Sequence, residues 1–184
     1  MDSTVNRAHQ HATNLSHTTG ALSNHPNLLV EPPDLAIGRC RGGLTTMIYQ
    51  LCDGNMRPLV VLLGTGQGDS LMLPEIMVSL RVDRIGPGRA RTRPDRVLAD
   101  KAYSAKAHRA MLRHRIIQLV IPERSDQVAN RKRRGRNGGC PVDLDIEAYK
   151  RRNVLERSSN TLNWWRGLAT RSDKLAHTYR GGAI

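Results

Sequence analysis

Phenylalanine is absent from the 184 residues, and two Trp and four Tyr are the only other large aromatic side chains. Aromatic rings usually dominate core energetics, so Leu, Val, Ile, Met and Ala must build whatever interior the chain has. No apolar run approaches the roughly 18 to 20 residues that a membrane-spanning helix requires, which sets the membrane aside as a partner. The opening Met1-Asp2-Ser3-Thr4 is polar from its second residue and does not read as a signal peptide. Cys40, Cys52 and Cys140 are odd in number and widely spaced, so neither a disulfide framework nor a zinc site is indicated. Three reduced thiols in a cytoplasmic protein is the simpler reading.

Acidic residues are also in short supply. Sixteen Asp and Glu face 29 Lys and Arg, for a formal charge of +13. Such an excess repels itself in a compact state unless a polyanion offsets it, and nucleic acid is the first polyanion to consider. The length suits one domain over 1–184 and is too short for two comfortable ones.

Residues 13–42, rich in Ser, Thr, Asn, His, Gly and Pro, show no sustained period and predict a long loop. After them, Leu44–Cys52 and Arg57–Leu63 read as two strands of a hairpin about the turn residues Asp53-Gly54. Asp69 or Ser70 is placed to cap a short helix through Leu80. A basic Gly/Pro loop over 84–95 leads to a short strand, Arg96–Ala99, that runs straight into Asp100. Ser104–Arg115 predicts a helix with Lys106, Arg109 and Arg113 on its outer face, and Ile116–Ile121 a further strand. Residues 123–141 read as a charged loop carrying Arg131, Lys132, Arg133, Arg134 and Arg136. Asp145 would cap a last helix running to about Arg166. Strands alternating with helices after an antiparallel start predict an α/β mixed sheet with helices on its faces.

Three carboxylates stand apart by position. Asp2 opens a possible strand over 2–8, Asp100 follows an apolar strand, and Glu156 lies within the last helix. In α/β sheets ligands bind beyond the carboxyl ends of strands, which is where Asp100 falls. Tyr149, Glu156 and Asn163 recur every seven residues and would form one polar line joined by Arg152. Val154, Leu155, Leu162 and Trp165 would form the buried side.

Tyr149-x2-Arg152-x3-Glu156 resembles the carboxy-terminal signature of bacterial DDE transposases. The flanking Trp165-Arg-Gly167 and Arg171-Ser-Asp-Lys174 are similar to those of the insertion-sequence-five family. Leu98-Ala-Asp-Lys-Ala-Tyr-Ser104 resembles its second-acid block, and Asp2-Ser-Thr-Val-Asn-Arg-Ala-His-Gln-His-Ala12 its first. Gly42-Gly-Leu-Thr-Thr46 and Pro122-Glu-Arg124 fit the same pattern. The resemblance implies an RNase H-like fold, with Asp2, Asp100 and Glu156 as catalytic and metal-binding residues. It also implies two magnesium ions (or manganese), and DNA cleavage and strand transfer in transposition. Tyr149, Arg152, Asn163, Arg131, Lys132, Arg133 and Arg134 would contact DNA, transposon ends and target alike, with a homodimer forming on it.

The chain also departs from that pattern. Asn163 stands where the family carries Lys, Met47 where it often carries Lys, and Ser158 falls near the apolar stripe, where it should weaken packing. Asp2 leaves almost no strand ahead of it, and the family's upstream DNA-recognition region has no counterpart. These features predict a truncated first strand and low or no activity of the chain alone. The second reading is an inactive basic DNA-binding remnant or regulator of transposition; a basic ribosome-associated protein ranks below both.

Overall fold

The computed structural model describes residues 1–13, 35–66 and 68–184. Its strands are β1 (Asp2–Ala8), β2 (Gly38–Cys40), β3 (Gly43–Cys52), β4 (Pro58–Gly64), β5 (Arg96–Leu98), β6 (Gln118–Val120) and β7 (Thr170–Arg171). Its helices are α1 (Gln10–Thr13), α2 (Leu73–Ser79), α3 (Lys106–His114), α4 (Ser125–Arg133), α5 (Ile146–Lys150), α6 (Asn153–Trp164), α7 (Arg166–Ala169) and α8 (Ala176–Gly181). The architecture is mixed α/β.

β3 is the axis of a five-stranded mixed sheet. It pairs antiparallel with β1 from Asp2↔Gln50 to Arg7↔Thr45, and antiparallel with β4 along its other edge. β2 extends that second edge, and β7 joins β1 in parallel. β5 and β6 form a separate parallel pair. Alternation along β3 divides the core in two. Tyr49 and Leu51 face α2 and α3, with Val60, Leu62, Leu73, Ile76 and Leu112. Ile48 faces the opposite way, with Val61, Leu168 and Tyr179. β4 is a continuous apolar run, Leu59-Val-Val-Leu-Leu63, because helices cover both of its faces.

The face toward α6, α7 and α8 is unusually polar. Asn6 Nδ2 donates to Tyr179 Oη at 2.8 Å and to the Leu168 carbonyl. Arg171 is fully buried, with Nη1 2.7 Å from Thr46 Oγ1, Nε 2.9 Å from the Asp173 carbonyl, and its guanidinium 5.3 Å from the Tyr179 ring centroid. Three of the scarce aromatics, Tyr49, Tyr103 and Tyr179, are enclosed.

Several expectations are corrected. Part of the loop expected over 13–42 is strand β2, while 14–34 lies outside the described residues. Asp69 and Ser70 lie in a 3₁₀ turn ahead of α2 and do not cap it; Asp69 instead accepts from Ser3 Oγ at 2.6 Å. Arg109 is not on an outer face of α3. It is 8% exposed, donating to the Ile121 carbonyl at 2.9 Å and to those of Ser104 and Pro122 at 3.3 Å. Ile116 is exposed at φ 56 and belongs to the end of α3, not to a strand. The charged loop over 123–141 contains α4, at whose start the Arg124 N–H donates to Gln127 Oε1 at 3.3 Å. Trp165 is exposed rather than packed.

Candidate carboxylate site

β5 needs little sequence to form, because Val97 and Ala99 are buried in the larger core, against which Leu119 of its parallel partner β6 and Ile121 just beyond it also pack. At Asp100 the backbone is extended, φ −71 and ψ 165, and then turns into a 3₁₀ turn at Lys101–Tyr103. The Tyr103 N–H donates to the Asp100 carbonyl at 3.0 Å. The Asp100 carboxylate makes no capping hydrogen bond in that turn and is partly open to solvent. It is a carboxylate at the carboxyl end of a parallel strand, with oxygens available to a ligand.

Asp145 caps α5 by accepting from the Ala148 N–H at 2.8 Å, as its place in the sequence predicts. The helix does not continue to Arg166, however. It tightens at Arg151 and Arg152, where four bonds run from a residue to the one three before it: Arg151→Ala148, Arg152→Tyr149, Val154→Arg151 and Leu155→Arg152. Tyr149 therefore lies on α5 and Glu156 on α6, and the uniform seven-residue line is interrupted between them. The trio is nonetheless linked. The Arg152 guanidinium lies 5.8 Å from the Tyr149 ring centroid, and its Nη2 donates to Glu156 Oε1 at 2.6 Å. Arg152 is 18% exposed and Glu156 53%, so the cation is the anchored partner and the carboxylate the outer one. Asn163 is exposed in the last turn of α6.

The elements that carry the three acids are tied by hydrogen bonds close to each of them. The Met1 amino group donates to the Leu98 carbonyl at 2.9 Å, joining the start of β1 to the end of β5. Gln50, the register partner of Asp2, donates from Nε2 to Ser158 Oγ at 2.9 Å, and Ser158 lies two residues beyond Glu156. Ser158 Oγ in turn donates to the Met56 carbonyl at 3.1 Å. Ser158 is therefore not a packing defect in α6. It is a buried polar link between helix and sheet, which sequence patterning read with the wrong sign. Gln50 Oε1 is buried with no hydrogen-bond partner. Among the described residues no group of three or more His, Cys, Asp or Glu side chains is arranged to hold a metal ion.

Of the basic candidates, Arg131 is engaged internally. It forms a half-buried ion pair with Glu123, and that hydrogen bond holds the Glu123 carboxyl below its ordinary range against the opposing effect of burial. Lys132, Arg133 and Arg134 are exposed at the carboxyl end of α4. A second basic region, found less readily in the sequence, comprises Arg91, Arg93, Lys150, Arg151 and Arg157, which surround one cavity although they come from separate segments.

No protein-family model matches the chain, and neither a curated protein nor a solved structure matches it. No helix among the described residues is long and apolar enough to cross a membrane.

Proposed function

We propose that this chain is the catalytic region of a DNA transposase with an RNase H-like sheet, cutting and joining phosphodiester bonds with Asp2, Asp100 and Glu156. The observation that carries the reading is the tie between the start of β1, the end of β5 and α6, through Met1–Leu98 and Gln50–Ser158. It draws together three elements that are distant in sequence, each bearing one of the acids. The linked Tyr149, Arg152 and Glu156 support it further, as does the excess of basic charge.

The donors suit a hard divalent cation such as magnesium, which prefers carboxylate oxygens and water to nitrogen or sulfur. Asp2, Asp100 and Glu156 would hold it. When bound it supplies charge stabilisation at the attacking and leaving oxygens of an in-line displacement. The protein's own contribution is orientation. Arg152 occupies Oε1 of Glu156, which leaves Oε2 for a ligand and fixes the rotamer of an otherwise exposed side chain. Exposed Lys132, Arg133 and Arg134 would neutralise DNA phosphates.

A second reading, a basic protein that binds DNA without cutting it, is favoured by the exposed cations of α4. A strand-cleavage assay on plasmid DNA with magnesium separates the two. Cleavage that falls at least about a hundredfold in Asp100→Asn and in Glu156→Gln, with DNA affinity preserved, supports the transposase. Salt-sensitive binding with no cleavage in the parent chain supports the second reading.

A further inference from the structure

Between α2 and β5 the chain forms an outlying hairpin. Val82 and Arg91 close it as a single antiparallel bridge, the Val82 N–H donating to the Arg91 carbonyl at 2.9 Å and the Arg91 N–H to that of Val82 at 2.8 Å. Below the bridge both roots are fixed. Leu80 is buried in the larger core. The Arg115 guanidinium donates to the Met77 carbonyl at 3.0 Å on one side and to the Thr92 carbonyl at 3.1 Å on the other. Beyond the bridge nothing holds the chain to the body. Among the described residues, none from Arg84 to Ala90 makes a hydrogen bond or an ion pair. Every residue from Arg81 to Arg89 is exposed, and Ile85 completely so.

The tip is slender and cationic. Gly86-Pro87-Gly88 turns it, with Gly86 at φ 108 and Gly88 at φ 141, conformations that L side chains rarely adopt. With Ala90 also small, only Arg84, Ile85 and Arg89 carry long side chains between the bridging pair. Asp83, the one acid there, is paired with Arg81 at 3.1 Å. Arg84 and Arg89 thus flank an exposed isoleucine with no carboxylate to answer them among the described residues. None of these residues belongs to the proposed carboxylate site.

We propose that this tip enters the minor groove of A·T-rich duplex DNA, with Arg84 and Arg89 lying along the groove and Ile85 wedged at a base step. The proposal rests on duplex binding, which both readings of the function share, and takes nothing from the carboxylates. The minor groove is about 6 Å wide and suits a thin tip of glycine and proline better than a helix. Narrow A·T grooves concentrate negative potential and draw arginine in. An aliphatic side chain there acts as a wedge that partly unstacks a step and bends the duplex. From Arg84 to Arg91 there is no Asn, Gln, Ser or Thr to read the richer pattern of the major groove. One isoleucine buries too little to anchor the chain at a membrane surface. A protein partner would have to supply acids opposite both cations, whereas every duplex carries them.

The test measures binding of the full chain to three fluorescein-labelled duplexes of about 20 base pairs. They differ only in a central tract of A·T, G·C or I·C pairs. Inosine keeps guanine's major-groove edge and lacks its minor-groove amino group. The A·T and I·C duplexes should bind alike, and about tenfold tighter than the G·C duplex. Dimethyl sulfate reports the grooves separately: the chain should shield adenine N3 and leave guanine N7 open. Arg84→Ala combined with Arg89→Ala should cut the preference to about twofold or less. Ile85→Ala should keep the preference and lose a bend of at least about 20°, read by end-to-end energy transfer. Circular dichroism should be unchanged in both variants, because these side chains bond to nothing in the body. The proposal is overturned if the I·C duplex binds like G·C, if the double variant keeps the full preference, or if the chain binds no duplex. Shielding of guanine N7 that the double variant loses would place the tip in the major groove. Self-association without DNA that Ile85→Ala abolishes would assign the tip to a second copy of the chain. Either result rejects the minor groove. Cleavage is scored apart: the A·T preference without cleavage sinks the transposase and keeps the hairpin, and cleavage with equal binding to all three duplexes does the reverse.

Discussion

At the residue scale, the buried guanidiniums are the clearest departure from what composition suggests. Arg109 spans the carbonyls of Ser104, Ile121 and Pro122, and so ties α3 to the end of β6. Desolvation draws its pKa down from the usual arginine value, with nearby Glu123 opposing. Arg109→Ala would strand the buried Ile121 acceptor and lower unfolding free energy by about 2–3 kcal/mol in a urea titration. Arg109→Lys should recover little of this, since a single ammonium cannot reach acceptors in three directions as a planar fork does. None of this was legible in the sequence, where an arginine between Lys106 and Arg113 on a helix reads as a solvated face. Its acceptors are main-chain carbonyls, and carbonyls leave no mark in residue identity. The same reason hid Ser158, whose partners are Gln50 and a carbonyl. Asp100 and the pairing of Arg152 with Glu156 were legible, because a strand end and an i,i+4 spacing are set by local geometry alone.

Among the elements, β3 and β4 lie close to where hydrophobic pattern puts them, since β-branched and apolar runs bounded by turns admit few alternatives. α4 escaped the same reading because Ser125–Arg133 has no apolar stripe, and its residues are intermediate or exposed. What holds it is the Arg124 N–H bond to Gln127 Oε1 and the Arg131–Glu123 pair. Glu123 is lowered in the folded state, so its contribution is present above the unfolded carboxyl range and is lost as pH falls through the folded value. Acid titration followed by circular dichroism should show α4 loosening on that limb, and Glu123→Gln should flatten the limb. The end of α3 makes a different prediction. The Ile117 N–H bonds the Leu112 carbonyl at 3.0 Å around Ile116, in the left-handed conformation that normally belongs to glycine in this motif. Ile116 is exposed and β-branched, so Ile116→Gly should raise stability by roughly 0.5–1 kcal/mol, read as a higher denaturation midpoint with unchanged slope. The joint between α5 and α6 was missed for another reason: a tightened turn at Arg151-Arg152 keeps helical residues and changes only the bonding pattern.

Over the whole molecule, charge governs what the surface does. If Lys132 and Arg133 meet phosphates as proposed, replacing both by Ala should weaken binding to unrelated duplexes equally. It should also reduce the slope of log affinity against log salt by about 2. Fluorescence anisotropy across a salt series measures both. The mixed α/β organisation could be read from the order of strands and helices. The division into two sheets could not, because it depends on which edges find partners. Arg109 and Arg171 bear on the surface charge from the inside. Both are counted in the formal charge of +13, yet both are enclosed by the fold and bonded to neutral oxygens. An approaching polyanion therefore still feels their charge at a distance but can make no direct contact with either. In a native-state labelling experiment these two guanidiniums should stay unmodified by a dicarbonyl reagent that consumes the arginines outside.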